Sequence, residues 1–206
     1  MNTQQICMFV IEAEKVFTEN LDMLTEMDSL LGDGDHGVSM LTGFRGARKL
    51  IETGTWSTPS EVFQAVGRCL MKEIGGTCGP LFATIFMKGA LAAKGKDTIE
   101  TADFANMFSN ANTAIQSIGQ SKPGDKTMVD ALAPAAASLE ESAAAKLDEK
   151  TALYIAYQAS DKGASSTKNM LATKGRGRYQ GERSLGCQDA GATSVSLILK
   201  TLWALA

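Results

Sequence analysis

An all-α fold of about eight helices is predicted by this sequence, on three observations. Apolar residues recur at helical spacing nearly throughout, and no convincing period-2 run appears. Helix-start signals precede several of the apolar stretches. Alanine-rich stretches at 131–145 and 152–172 are good helix formers and let helices approach closely.

The elements follow in order. Ile6, Val10, Phe17, Leu21 and Leu24 keep to one stripe and predict a helix over 3–25. A second helix, 38–53, opens after a glycine-rich acidic turn. Thr58-Pro59-Ser60-Glu61 is a capping box with proline at the first helical position, so a third begins there and runs over 59–73. Gly75-Gly76-Thr77-Cys78-Gly79-Pro80 leads into a fourth, 80–94. Thr101 and Asp103 mark the start of a fifth, 102–118, with the regular stripe Phe104, Met107, Phe108, Ala111, Ile115 and Ile118. The alanine-rich helices 127–145 and 150–172 follow, and 191–204 closes the chain. The links are short except for 173–190, TKGRGRYQGERSLGCQDA, which is glycine-rich, basic and without evident structure. Loops of that length in compact domains are functional lids or disordered. No repeat or boundary divides residues 1–206, a length that suits one domain with a sizeable core.

The formal net charge of −3 shows no nucleic-acid footprint, and no apolar run is long enough to span a membrane. Four cysteines without a CxxC pair and a single histidine argue against a zinc site. They read as reduced thiols in a cytoplasmic protein. Acidic residues gather early (Glu12, Glu14, Glu19, Asp22, Glu26, Asp28, Asp33, Asp35). Basic ones gather late (Lys162, Lys168, Lys174, Arg176, Arg178, Arg183). Two such patches suit a metal-bound polyphosphate between them, or are simply two solvated faces.

The most informative segment is Asp28 to Gly37, DSLLGDGDHG. Asp28, Asp33 and Asp35 fall within eight residues, interleaved with glycines that let the backbone fold tightly. Carboxylates that converge need a cation, and oxygen ligands favour magnesium, manganese or calcium. An EF-hand loop from Asp33 fails, because Gly37 and Phe44 stand where its fifth and twelfth ligands belong. The plain alternative is a solvated acidic turn, with Asp35 capping the next helix. A lone histidine is usually structural, but His36 lies beside two carboxylates and just before a helix N-terminus, where contact with phosphate is the sharper reading. The 75–80 loop offers backbone N–H groups and a hydroxyl to an anion, though a simple helix connection looks the same; no Walker A lysine follows. Lys122 to Met128 is a third glycine-containing loop opening a helix, where Asp125 reads most simply as a cap. The arginines of 173–190 can fork onto phosphate oxygens, and Gly191-Ala192-Thr193-Ser194 admits a ligand closely.

Taken together, GDGDHG (32–37), GGTCGPL (75–81), KPGDKTMVDAL (122–132) and KGRGRYQGERSLGCQDAGATS (174–194) resemble the nucleotide-binding L subunit of dihydroxyacetone kinase, over essentially the whole chain. The resemblance implies an eight-helix antiparallel barrel that binds nucleotide at one end through interhelical loops. It implies that Asp28, Asp33 and Asp35 hold two magnesium ions bridging the phosphates of ADP or ATP. Nucleotide contacts would come from His36, Gly37, Val38, Ser39, Thr77, Cys78, Gly119, Met128, Arg176, Asp189, Ala190 and Gly191, under a lid at 174–188. No further catalytic group is expected on this chain. The keto substrate would sit on a separate K subunit, and a phosphotransferase-system carrier (an M-type subunit) would supply the phosphoryl group. An ATP-dependent kinase subunit for a tetrulose, or a nucleotide-loaded protein binding a transcription regulator, are the alternatives; a homodimer is also implied. Cys78, Cys187 and Ala190 depart from the usual serine, histidine and proline, which puts one hydroxyl contact and the turn before the last helix in doubt.

Overall fold

The computed structural model describes residues 1–206, and it is helical without strands. Nine α-helices run in order: α1 Thr3–Glu19, α2 Leu21–Leu31, α3 His36–Thr53, α4 Pro59–Glu73, α5 Cys78–Ala92, α6 Thr101–Gly119, α7 Val129–Ala144, α8 Glu149–Ser166 and α9 Ala190–Leu205. The predicted helix 3–25 is two helices. The chain bends at Asn20, whose side chain donates to the Val16 carbonyl at 2.8 Å, and α2 then continues to Leu31. Asp28 therefore rides on the last turns of a helix rather than in a loop. The helix predicted to reach 172 stops at Ser166 and passes into a short 3₁₀ turn, Thr167–Asn169. The 173–190 stretch is not structureless either, since 3₁₀ turns occupy Arg176–Ser184.

Packing runs in a closed circuit: α1 on α3, each helix from α3 onward on the next, and α9 back on α1. α2 lies outside that circuit, against α3 and α9. All eight phenylalanines are buried inside. Phe17 stacks on Phe44 with centroids 4.7 Å apart, and Phe44 meets Phe86 edge-on at 6.0 Å. Those contacts tie α1, α3 and α5 across the core, each ring contributing about 2–3 kcal/mol through burial.

The two ends of the bundle differ in how their helix starts are satisfied. At one end Asn2, Thr58 and Asp148 cap α1, α4 and α8, and the Asp103 carboxylate takes the Glu100 N–H at 3.0 Å where α6 begins. These starts are neighbours: Thr3 donates to the Ser57 carbonyl and Thr101 to that of Leu147. At the other end Asp35, Thr77 and Met128, the residues before α3, α5 and α7, give no side-chain cap, although Asp28 takes the His36 N–H and Thr127 Oγ1 takes that of Val129. Only α9 is capped there by the residue before it, Asp189, which accepts the Ala192 N–H at 2.7 Å. The positive ends of these helix dipoles are thus concentrated at one end of the molecule.

α7 and α8 approach unusually closely. Pro134 lies inside α7 and has no N–H to give the Asp130 carbonyl. Gly163 of α8 packs on that carbonyl; a Cβ there would lie 2.2 Å from the Asp130 oxygen. Gly163→Val is expected to lower stability by about 3 kcal/mol, because backbone cannot move aside as a side chain can. Urea unfolding checks this, and a loss below about 0.5 kcal/mol would show that the two helices can part freely.

Candidate nucleotide and metal site

A cleft of about 860 Å³ opens at one end of the bundle. The starts of α3, α5, α7 and α9 reach it, together with the ends of α2 and α6 and the 174–179 segment. On one side stand the three aspartates. Asp28 sits on α2, Asp33 in the following turn, and Asp35 at the first position before α3. Gly34 makes the turn between the last two with φ +75°, a conformation that favours glycine. One carboxylate oxygen from each of the three lies within 4.8 Å of the others. Asp35 makes no capping bond to α3, so the simple capped-turn alternative does not describe it. Its pKa is raised by burial first, then by the charges of Asp33 and Asp28, with Arg176 opposing. Arg176 forms an ion pair with Asp33. Hard oxygen donors, mutual crowding and this ion pair fit a divalent cation of the magnesium type.

Of the expected contact residues, Asp28, Asp33, Asp35, His36, Ser39, Thr77, Cys78, Gly119, Met128, Arg176, Asp189, Ala190 and Gly191 all line this cleft. Gly37 and Val38 do not. Gly37 packs against α2, where a Cβ would meet the Leu21 carbonyl and the Thr25 hydroxyl at 2.6 Å. Val38 is exposed outside the cleft. Gly37 lets α3 approach α2 closely, which brings Asp35 near Asp28.

His36 also differs from expectation. Its ring is buried: Nε2 meets Ser194 Oγ at 2.8 Å and Nδ1 meets Cys78 Sγ at 3.6 Å. Both nitrogens are engaged inside the protein rather than turned to a phosphate. Its backbone N–H donates to Asp28 Oδ2 at 3.2 Å. Burial pulls the imidazole pKa down to about 4, with Asp28 opposing, and pushes the Cys78 thiol up to about 12. The pair is therefore a neutral link between α3, α5 and α9. Cys78 contributes an α5 backbone N–H to the cleft, and its sulfur stays with His36.

Leu81, Ile115, Ile118 and Met128 add apolar surface to the same cleft. Ile115 of the α6 stripe is buried, and Ile118 at its end is exposed. Lys126 was not anticipated. It is buried with φ +61° inside the 122–132 motif, and nothing in the pattern separates it from a solvated lysine. Lys174, Arg176 and Arg178 face the same cleft as the aspartates, so this part of the two charge patches does come together. Glu12 and Glu14 pair elsewhere, with Lys15 and Arg48. All four cysteines are free thiols.

The sequence pattern of the DAK2 domain matches residues 30–204. The chain belongs to the DAK2 domain family. Among proteins similar to this DAK2 domain is the PEP-dependent dihydroxyacetone kinase, ADP-binding subunit DhaL, of Escherichia coli, 33% identical over 202 residues and covering 98% of this chain and 96% of that one. The PTS-dependent dihydroxyacetone kinase, ADP-binding subunit DhaL, of Lactococcus lactis is 35% identical over 184 residues, covering 89% and 88%. The D-erythrulose kinase of Mycolicibacterium smegmatis is 33% identical over 183 residues, covering 87% of this chain but 31% of that one. These relatives are kinases or kinase subunits, which places the DAK2 domain described here among phosphotransferases. A solved dihydroxyacetone kinase from C. freundii, in complex with AMP-PNP and Mg2+, shares the fold with TM-score 0.75 at 22% identity. The match covers 99% of this chain and 34% of that one, so the chain spans about a third of the solved protein.

Proposed function

We propose that this chain is the ADP-carrying or ATP-carrying L subunit of a multi-subunit dihydroxyacetone kinase. The carboxylate cluster at a cleft ringed by helix starts carries this reading. Asp28, Asp33 and Asp35 would hold two magnesium ions. Bound there, magnesium would neutralise phosphate charge that three carboxylates otherwise repel. The start of α5 would present N–H groups to the phosphates, the dipoles of α3 and α7 would add positive potential, and Arg176 offers its planar fork. The Leu81, Ile115, Ile118 and Met128 wall offers an apolar surface to the base. The 174–188 segment carries Arg176 over the opening as a lid.

The one histidine has both ring nitrogens bonded inside the protein and offers neither to a keto sugar. The acceptor, dihydroxyacetone, would sit on a separate K subunit, in the cytoplasm. A phosphotransferase-system carrier is the proposed donor, supported by relatives of matching length named as PEP-dependent and PTS-dependent subunits. Likeness to a D-erythrulose kinase supports a second reading, an ATP-dependent kinase subunit for a tetrulose.

The test combines the purified chain, a K subunit and dihydroxyacetone with either excess ATP or the phosphorylated carrier. Carrier-driven turnover with ADP retained on the chain is the expected result. Sustained turnover with ATP alone would sink the carrier reading. No affinity for ADP in the presence of magnesium would sink the function altogether.

A further inference from the structure

Lys126 is 2% exposed, and its ammonium is held by backbone oxygens alone. It donates to the carbonyls of Thr167 at 2.8 Å, Met170 at 3.3 Å, Ser184 at 2.5 Å and Cys187 at 2.6 Å. Three N–H donors thus serve four acceptors, and no carboxylate forms an ion pair with them. Two of the carbonyls enter the long loop and two leave it. The same neck is tied by the Gly186 N–H on the Lys168 carbonyl at 2.8 Å and by Thr173 Oγ1 on Asp125 at 2.7 Å. The Thr167 hydroxyl also takes the Asp189 N–H at 2.9 Å, which connects the neck to the turn that starts α9. Converging carbonyl dipoles repel one another without a cation among them. Burial lowers the lysine's pKa, and the charges of Cys187 and Asp189 oppose that shift.

We infer that Lys126 is a positioning residue whose tethered ammonium fills a four-carbonyl cation site at the neck of the 174–188 lid and so sets the places of Arg176 and Asp189. It acts through those two residues, and its effect on ligand affinity rests on the nucleotide reading above. Lys126→Met keeps the stem's bulk and removes the charge and donors. Without them the neck carbonyls lose their partners, and water must enter to solvate them.

The test reads hydrogen exchange in nucleotide-free protein and the affinity for ADP with magnesium. In Lys126→Met, amides of 170–187 should exchange at least about tenfold faster while those of α1 and α3–α6 keep their protection, and affinity should fall about tenfold or more. Should that variant fail to fold, Lys126→Gln, which keeps two N–H donors, takes its place. Lys126→Ala supplies the reading that a merely structural role would not give. n-Propylammonium replaces the atoms missing beyond Cβ and should restore lid protection, whereas 1-propanol, of similar length and no charge, should not. Unchanged exchange, unchanged affinity in a loosened lid, or rescue that is absent or matched by 1-propanol overturns the assignment. If wild-type protein binds no ADP, the nucleotide reading fails by itself, and the exchange and rescue results still decide the role of Lys126.

Discussion

Asp35→Asn is expected to weaken ADP binding in the presence of magnesium by at least about 100-fold, or about 2.7 kcal/mol, without destabilising the metal-free protein. The two halves of that result come from one geometry. In the folded chain Asp35 gains no capping bond and is crowded by Asp33 and Asp28, so its charge opposes folding. Neutralising it relieves that crowding, and the thermal midpoint should hold or rise. Binding depends on the opposite property, since a hard divalent cation needs the full set of anionic oxygens. Asp28→Asn should lose binding as well, but it also weakens an acceptor for the His36 N–H and should cost about 1 kcal/mol of stability. Titration calorimetry with ADP and magnesium, beside thermal melts in chelator, separates the two. Retention of wild-type affinity in Asp35→Asn would remove the cluster from the site. A drop in binding that tracks a drop in midpoint would make the loss structural.

Much of this site was legible because its chemistry is written in short runs. Asp28 to His36 carries three carboxylates and the glycines that fold them together, and the start of α4 is declared by Thr58, Pro59 and Glu61. Other features depended on side chains meeting across the fold. The stripe from Ile6 to Leu24 continues smoothly through Asn20, so periodicity alone could not place the bend that separates α1 from α2. His36 looked like a phosphate ligand from its neighbours in sequence, whereas its ring partners, Cys78 and Ser194, come from α5 and α9. Lys126 is defined by four carbonyls that are 41 to 61 residues away along the chain. Polar residues satisfied by distant backbone leave no local pattern, because backbone carbonyls carry no sequence signature.

Two groups at this end should make stability respond to pH in opposite senses. His36 has its pKa lowered from 6.5 to about 4, chiefly by burial. Between those values the unfolded chain takes up a proton that the folded chain refuses, so stability falls as pH drops through the window. At about 1.4 kcal/mol per unit the loss is about 3 kcal/mol. Asp189 has its pKa raised from 3.8 to about 7; burial leads, Asp130 and Asp28 add, and the Ala192 N–H and Lys126 oppose. Surface area leaves its carboxyl partly open, yet protein surrounds it at longer range, and Asp28 and Asp130 lie among those neighbours. Here the folded chain keeps a proton that the unfolded chain releases, so stability falls as pH rises, by about 4 kcal/mol at most. The two contributions nearly cancel between about pH 4 and about pH 7 in the wild type. His36→Gln keeps a donor and an acceptor for Ser194 and Cys78 and should expose the Asp189 slope, with stability declining as pH rises. Asp189→Asn keeps the cap on α9 and should expose the His36 slope, with stability climbing as pH rises. Urea unfolding across that range in chelator checks both, and curves that run parallel to wild type in both variants would refute the paired burial. The same neutrality bears on the proposed metal site, because an imidazolium at His36 would place a fixed positive charge beside Asp28 and compete with a cation there.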